Sequence, residues 1–122
     1  MTAEVIDGKA IAADLRRRVA EVVAARVAAG RRAPGLATVL VGDDPASHVY
    51  VASKRKACAE AGIRSIHHEP SGDVSEPDLV ALVAELDADR DVDGILVQMP
   101  LPDRIDQDAV LAAISAGKDV DG

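Results

Sequence analysis

Aromatic residues are almost missing from this chain: its 122 residues include no Phe, no Trp and a single Tyr, Tyr50. A core must therefore be assembled from Ala, Val, Leu and Ile. The one ring is expected to serve something other than bulk, although Tyr also packs well at a core edge. Cysteine is equally scarce, and Cys58 alone excludes an internal disulfide framework and fits a reducing, cytoplasmic setting. Basic residues are outnumbered, with 14 Lys and Arg against 21 Asp and Glu and a net charge of −7. That sign speaks against a general nucleic-acid binder, which needs a basic face to displace counterions, and against an anionic membrane surface. Apolar stretches such as Leu36 to Val41 are far too short to span a bilayer. Glu4 and Asp7 stand where a signal peptide needs positive charge followed by an apolar run. Neither GxGxxG nor GxxxxGK[ST] occurs, so a standard phosphate-cradling loop is missing.

What is present reads as one globular domain with a core of its own. Apolar residues recur at helical spacing from about Lys9 to Ala29, with Leu15, Val19, Val22 and Val23 on one stripe and Gly30 as the stop. Gly35 to Gly42 is a short β-branched run expected to be a strand buried on both faces. Asp44 and Pro45 open a second helix that runs to Ala61, with Asp44 as its cap. Ile63 to Glu69 is a strand candidate, Ser75 caps a helix ending near Leu86, Gly94 to Gln98 is a third strand, and a last helix spans about Gln107 to Ser115. Alternating helices and strands predict an α/β fold, a three-layer parallel sheet with helices on both faces. The chain stops at Lys118-Asp-Val-Asp-Gly122, which reads as a charged turn and as the end of one domain of a longer protein.

In open parallel sheets, ligands bind at the carboxyl ends of the strands, here the Gly42–Ser47 loop, the loop after Glu69 and the Gln98–Pro102 segment. On the helix after the first strand, Ser47, Tyr50, Lys54, Ala57, Cys58 and Ala61 share a small, apolar stripe that interrupts itself with a lysine. An ammonium buried there is desolvated, which favours a neutral amine able to move protons. Alternatively, Lys54 reaches past the apolar edge to water. Tyr50 lies one turn before Lys54, so phenol and amine share a surface. Gln98 ends its strand as a solvated carboxamide or as the group that orients Lys54. Pro100 and Pro102 stiffen the next turn, with a cis Met99–Pro100 bond expected. Asp119 and Asp121 read as solvated turn carboxylates. His67 and His68 point to opposite strand faces, with no Cys/His cluster to make a metal site.

Three motifs then carry a family resemblance: VGDDPASHVYVASKRK from Val41 to Lys56, GILVQMPLP from Gly94 to Pro102, and KDVDG from Lys118 to Gly122. From Ile6-Asp-Gly-Lys9 to its last residue, the chain resembles the N-terminal domain of the bifunctional methylenetetrahydrofolate dehydrogenase/methenyltetrahydrofolate cyclohydrolase family. The resemblance implies tetrahydrofolate derivatives as substrates and a place in one-carbon metabolism and purine biosynthesis. It implies NADP (NAD in some members) as the cofactor of a longer, homodimeric parent. By the same resemblance Lys54 is the acid/base group of hydrolysis, Gln98 orients it, and Tyr50 stacks along the folate. Asp121 hydrogen-bonds the pterin, and Ser47 and Pro100 are further substrate contacts. His48 and Ser53 depart from the residues common in the family, with little effect expected. The nucleotide-binding domain and the final helix of family members are not in this chain. Two other readings compete. One is a short-chain dehydrogenase, which shares the Tyr-x-x-x-Lys pair but needs a glycine-rich loop before it. The other is a non-catalytic folate-binding or structural fragment.

Overall fold

A computed structural model describes residues 8–120. Seven elements alternate along the chain: α1 (Gly8–Ala28), β1 (Gly35–Val39), α2 (Pro45–Glu60), β2 (Arg64–His68), α3 (Glu76–Ala88), β3 (Gly94–Val97) and α4 (Gln107–Ala112). The helix starts follow the expected caps. Asp44 accepts the amide of Ala46, and the Ser75 hydroxyl accepts that of Asp78; Asp106 caps α4 in the same way. At the end of α2, Gly62 takes φ +77° and lets the Ile63 amide return to the Cys58 carbonyl at 2.8 Å.

The three strands are parallel, in the order β2-β1-β3. The chain steps from β1 to one side through α2, then crosses back over β1 through α3. Right-handed crossovers in opposite directions put α2 and α3 on opposite faces, which completes three layers. Alternation along the central strands divides the core accordingly. Ala37, Val39, Val41, Ile95 and Val97 pack with Leu79, Val83 and Leu86 of α3 and with Val110 of α4. Thr38, Leu40 and Leu96 take the other face and are also buried. The core is built from aliphatic residues, as the missing rings require.

Two expectations change. The α1 stripe is not a core face among the described residues: Val23 is buried, but Leu15 and Val22 are exposed. A single helix lying on the outside of α2 has only one line of contact, and the rest of its apolar surface faces away. The segment before Gly122 is also more than a solvated turn. The Ile95 amide donates to the Lys118 carbonyl at 2.7 Å, and Asp119 pairs with Ile95 in a parallel bridge at the edge of β3. Gly94 permits this approach, since a Cβ there would stand 2.7 Å from the Val120 side chain. Beside it, at the amino ends of β1 and β3, Arg32 clamps Asp93 with bonds of 2.7 and 2.9 Å, and Asp93 also accepts the Gly35 amide at 2.9 Å. The Arg32 bond, more than any other influence, holds the Asp93 carboxyl at about 2.

Candidate active site

The helix that follows β1 lies on one face of the sheet. The helix that follows β3, α4, packs with α3 on the other. Between the carboxyl ends of β1 and β3 the connections therefore part, leaving the crevice in which open α/β sheets bind ligands. α2 brings Ser47, Tyr50 and Lys54 to this crevice from one side, and β3 delivers Gln98 from the other. The Gln98 amide donates to the Val39 carbonyl at 2.9 Å, which carries the strand pairing one residue beyond β3 and fixes the backbone.

Across the crevice, Lys54 Nζ donates to Gln98 Oε1 at 3.0 Å. The other end of the carboxamide is also engaged, with Gln98 Nε2 donating to the Met99 carbonyl at 3.1 Å. The Oε1 end therefore faces the lysine. The Met99–Pro100 bond is cis, as expected, and Leu101 is buried in the core just beyond it. Pro100 itself is exposed at the crevice end of the strand.

The stripe assigned to α2 needs correction. Its buried line is Ser47, Val51 and Cys58, and Val51 rather than Tyr50 faces the core. Lys54 falls on that line by spacing but is exposed, and its Nζ reaches Gln98. The desolvation expected of its ammonium is thus missing, and what holds Lys54 is a hydrogen bond. Tyr50 is 60% exposed, which removes the core-edge alternative and leaves its ring on the surface one turn from Lys54. Ser47 is buried with its hydroxyl donating to Asp44 Oδ2 at 3.0 Å, so it strengthens the cap of α2. Asp121 lies outside the described residues.

A second group of polar residues escaped the sequence reading. Thr38 of β1 and His67 of β2 are opposite one another in register, and Thr38 Oγ1 stands 2.7 Å from His67 Nδ1. His67 Nε2 stands 2.7 Å from Glu69 Oε1. His48, expected to be idle, points its Nε2 at the Gly42 carbonyl at 3.1 Å. The period-two spacing of His67 and Glu69 placed them on one face; Thr38 required the pairing register, which sequence periodicity does not supply.

Open apolar grooves lie elsewhere. One of about 510 Å³, lined by Val23, Val27 and Ala61 among others, runs between α1 and the end of α2. None of Tyr50, Lys54 and Gln98 lines it.

Residues 6–121 match the family model for the tetrahydrofolate dehydrogenase/cyclohydrolase catalytic domain. Among solved structures, a 5,10-methylenetetrahydrofolate dehydrogenase from the silkworm Bombyx mori is 40% identical, with a TM-score of 0.94 over 99% of this chain and 42% of its own. The bifunctional methylenetetrahydrofolate dehydrogenase/cyclohydrolase of Campylobacter jejuni is 43% identical, with a TM-score of 0.90 over 94% of this chain and 40% of its own. The Trypanosoma brucei dehydrogenase-cyclohydrolase, solved with NADP and an inhibitor, is 36% identical, with a TM-score of 0.88 over 95% of this chain and 40% of its own. The chain thus spans about two-fifths of the length of these solved relatives.

Proposed function

The chain belongs to the tetrahydrofolate dehydrogenase/cyclohydrolase family, and from that premise we propose that it supplies the folate site and the acid/base lysine of an enzyme of one-carbon metabolism. The observation that carries the reading is the 3.0 Å bond between Lys54 and Gln98 at the switch point of the sheet. The substrate class is a tetrahydrofolate carrying a one-carbon bridge between two nitrogens. In the hydrolytic step, water adds to the bridging carbon of the 5,10-methenyl cation, and its proton passes to the Lys54 amine. The bond from that carbon to N5 then breaks, N5 receives a proton, and 10-formyltetrahydrofolate leaves with one proton released overall. The step runs through Lys54 molecules that have lost their proton, since only the amine can take one from water and an ammonium would repel the cationic substrate. Gln98 holds the amine at the reacting carbon through Oε1, Tyr50 offers its exposed ring to the folate, Pro100 is a further contact, and the family resemblance adds Asp121 as the partner of the pterin. Ser47 acts through the α2 cap.

The dinucleotide belongs elsewhere. The helices that follow the strands open on Asp44, on Ser75 with Glu76 and Asp78, and on Asp106 with Asp108. Carboxylates at these positions oppose a pyrophosphate, and the glycine-rich turn that would admit one is missing. These residues do not fit NADP. In our reading, residues 1–122 are the folate-binding domain of a longer, cytoplasmic, homodimeric parent that oxidises 5,10-methylenetetrahydrofolate with NADP on a second domain and feeds purine biosynthesis. Neither nucleic acid nor a membrane surface is a partner.

Titration of the chain with a folate analogue, alongside an assay of 5,10-methenyltetrahydrofolate hydrolysis, tests this function. Saturable binding with accelerated hydrolysis supports it. Binding without turnover identifies a non-catalytic folate-binding fragment, and no binding removes the reading.

A further inference from the structure

Gly42 lies in the loop from β1 to α2, with φ +86°, and both sides of its backbone are held. Its amide donates to the Pro70 carbonyl at 3.3 Å, and its carbonyl accepts from His48 Nε2 at 3.1 Å. Pro70 directly follows Glu69, so the position of that carbonyl depends on how the exit of β2 is fixed. Glu69 is fixed by His67, and His67 by Thr38, which is 1% exposed in the centre of the sheet.

The partners determine the protons. A carbonyl and a carboxylate can only accept, so Nε2 of both His48 and His67 must carry hydrogen. With Nδ1 bare, His67 accepts the Thr38 hydroxyl proton there, so one tautomer satisfies the Thr38 hydroxyl and both ring nitrogens of His67. Its hydrogen bond to His67, the largest influence on Glu69, keeps that carboxyl below the usual range, so it remains an acceptor. His48 Nδ1 stands 3.9 Å from Glu69 Oε1, too far for a hydrogen bond but close enough to add an ionic contact when His48 is protonated. Arg55 of α2 adds a weaker positive influence on the same carboxylate.

We propose that Thr38, His67, Glu69 and His48 form a positioning relay that locks the Gly42 loop and, through it, the first turn of α2 that carries Ser47 and leads to Tyr50. Its bearing on folate binding rests on the function proposed above; its hold on the loop does not. None of the four touches the reacting atoms.

The 122-residue chain, with Thr38→Val, Thr38→Ser and Glu69→Ala, provides the test. Thr38→Val keeps the buried shape and removes only the hydroxyl, Thr38→Ser restores it, and Glu69→Ala removes the acceptor on a half-exposed side chain at no cost to the core. Long-range proton–nitrogen spectra should place hydrogen on Nε2 of both histidines. Thr38→Val and Glu69→Ala should speed amide exchange across residues 42–48 by about three- to tenfold, the effect of one hydrogen bond. Folate-analogue affinity should weaken by a similar factor, and Thr38→Ser should stay near wild type in both. Hydrogen on Nδ1 of His67, or unchanged loop exchange in both disruptive variants, overturns the relay. If the loop loosens but wild type binds no folate analogue, the relay stands and the folate function falls. If the analogue binds wild type and both disruptive variants equally, the relay's role in binding falls alone.

Discussion

Lys54 and Gln98 meet across the end of the sheet, the ammonium of one donating to the carboxamide oxygen of the other at 3.0 Å. The two are 44 residues apart in sequence, on different elements, and the bond exists because β1 and β3 are neighbours while α2 and α4 leave them on opposite faces. Replacing Gln98 with Leu should therefore lower the rate of methenyl hydrolysis by about three- to tenfold, the effect of one lost positioning bond, with KM nearly unchanged. A change confined to KM would assign Gln98 to substrate binding instead.

Tyr50 presents a ring that the core does not use. Tyr50→Ala should leave thermal stability close to wild type and weaken folate-analogue binding by about 1–3 kcal/mol, the range for a lost aromatic stack. Calorimetric titration reads both the affinity and its loss. Equal affinities would mean that the exposed ring serves another surface.

The helix caps and the strand ends were legible in the sequence, because each depends on local spacing. Burial of Lys54 was not. Its position on the line of Ser47, Val51 and Cys58 implies a buried side chain, yet it is exposed and reaches Gln98, and what covers a helix position is a tertiary fact. The α1 stripe misled for the same reason, since helical periodicity marks an apolar face without saying what covers it. Thr38 and His67 meet only through strand register, and an apolar run such as Leu36–Val41 gives no hint that its one hydroxyl has a partner.

The Arg32–Asp93 clamp ties the loop after α1 to the start of β3, far from the crevice. Asp93 titrates near 2 when folded, below an ordinary aspartate of about 3.9. A depressed carboxyl contributes stability that is present above the unfolded value and lost as pH falls through the folded one. The contribution should therefore disappear between about pH 4 and pH 2. With both side chains more than a third exposed, it is discounted to about 1 kcal/mol. Asp93→Asn should lower the melting temperature at pH 7 and narrow the gap from wild type at pH 2. A gap that stays constant with pH would show that the clamp acts through packing.

Nucleotide binding should be missing from this chain. Titration of the chain with NADP or NAD should give no saturable heat, and no reduction of either should accompany oxidation of 5,10-methylenetetrahydrofolate. Saturable micromolar binding would place a nucleotide site among these residues despite their acidic helix starts.

Comparison of the wild-type chain with Lys54→Met in the hydrolysis of 5,10-methenyltetrahydrofolate tests the central claim most directly. The lysine is exposed and supports no core packing, so the variant should fold as wild type does. The prediction is a rate above the uncatalysed reaction for wild type, abolished in Lys54→Met, with folate-analogue binding retained by both. Equal rates in the two proteins would contradict the role of Lys54 as the acid/base group.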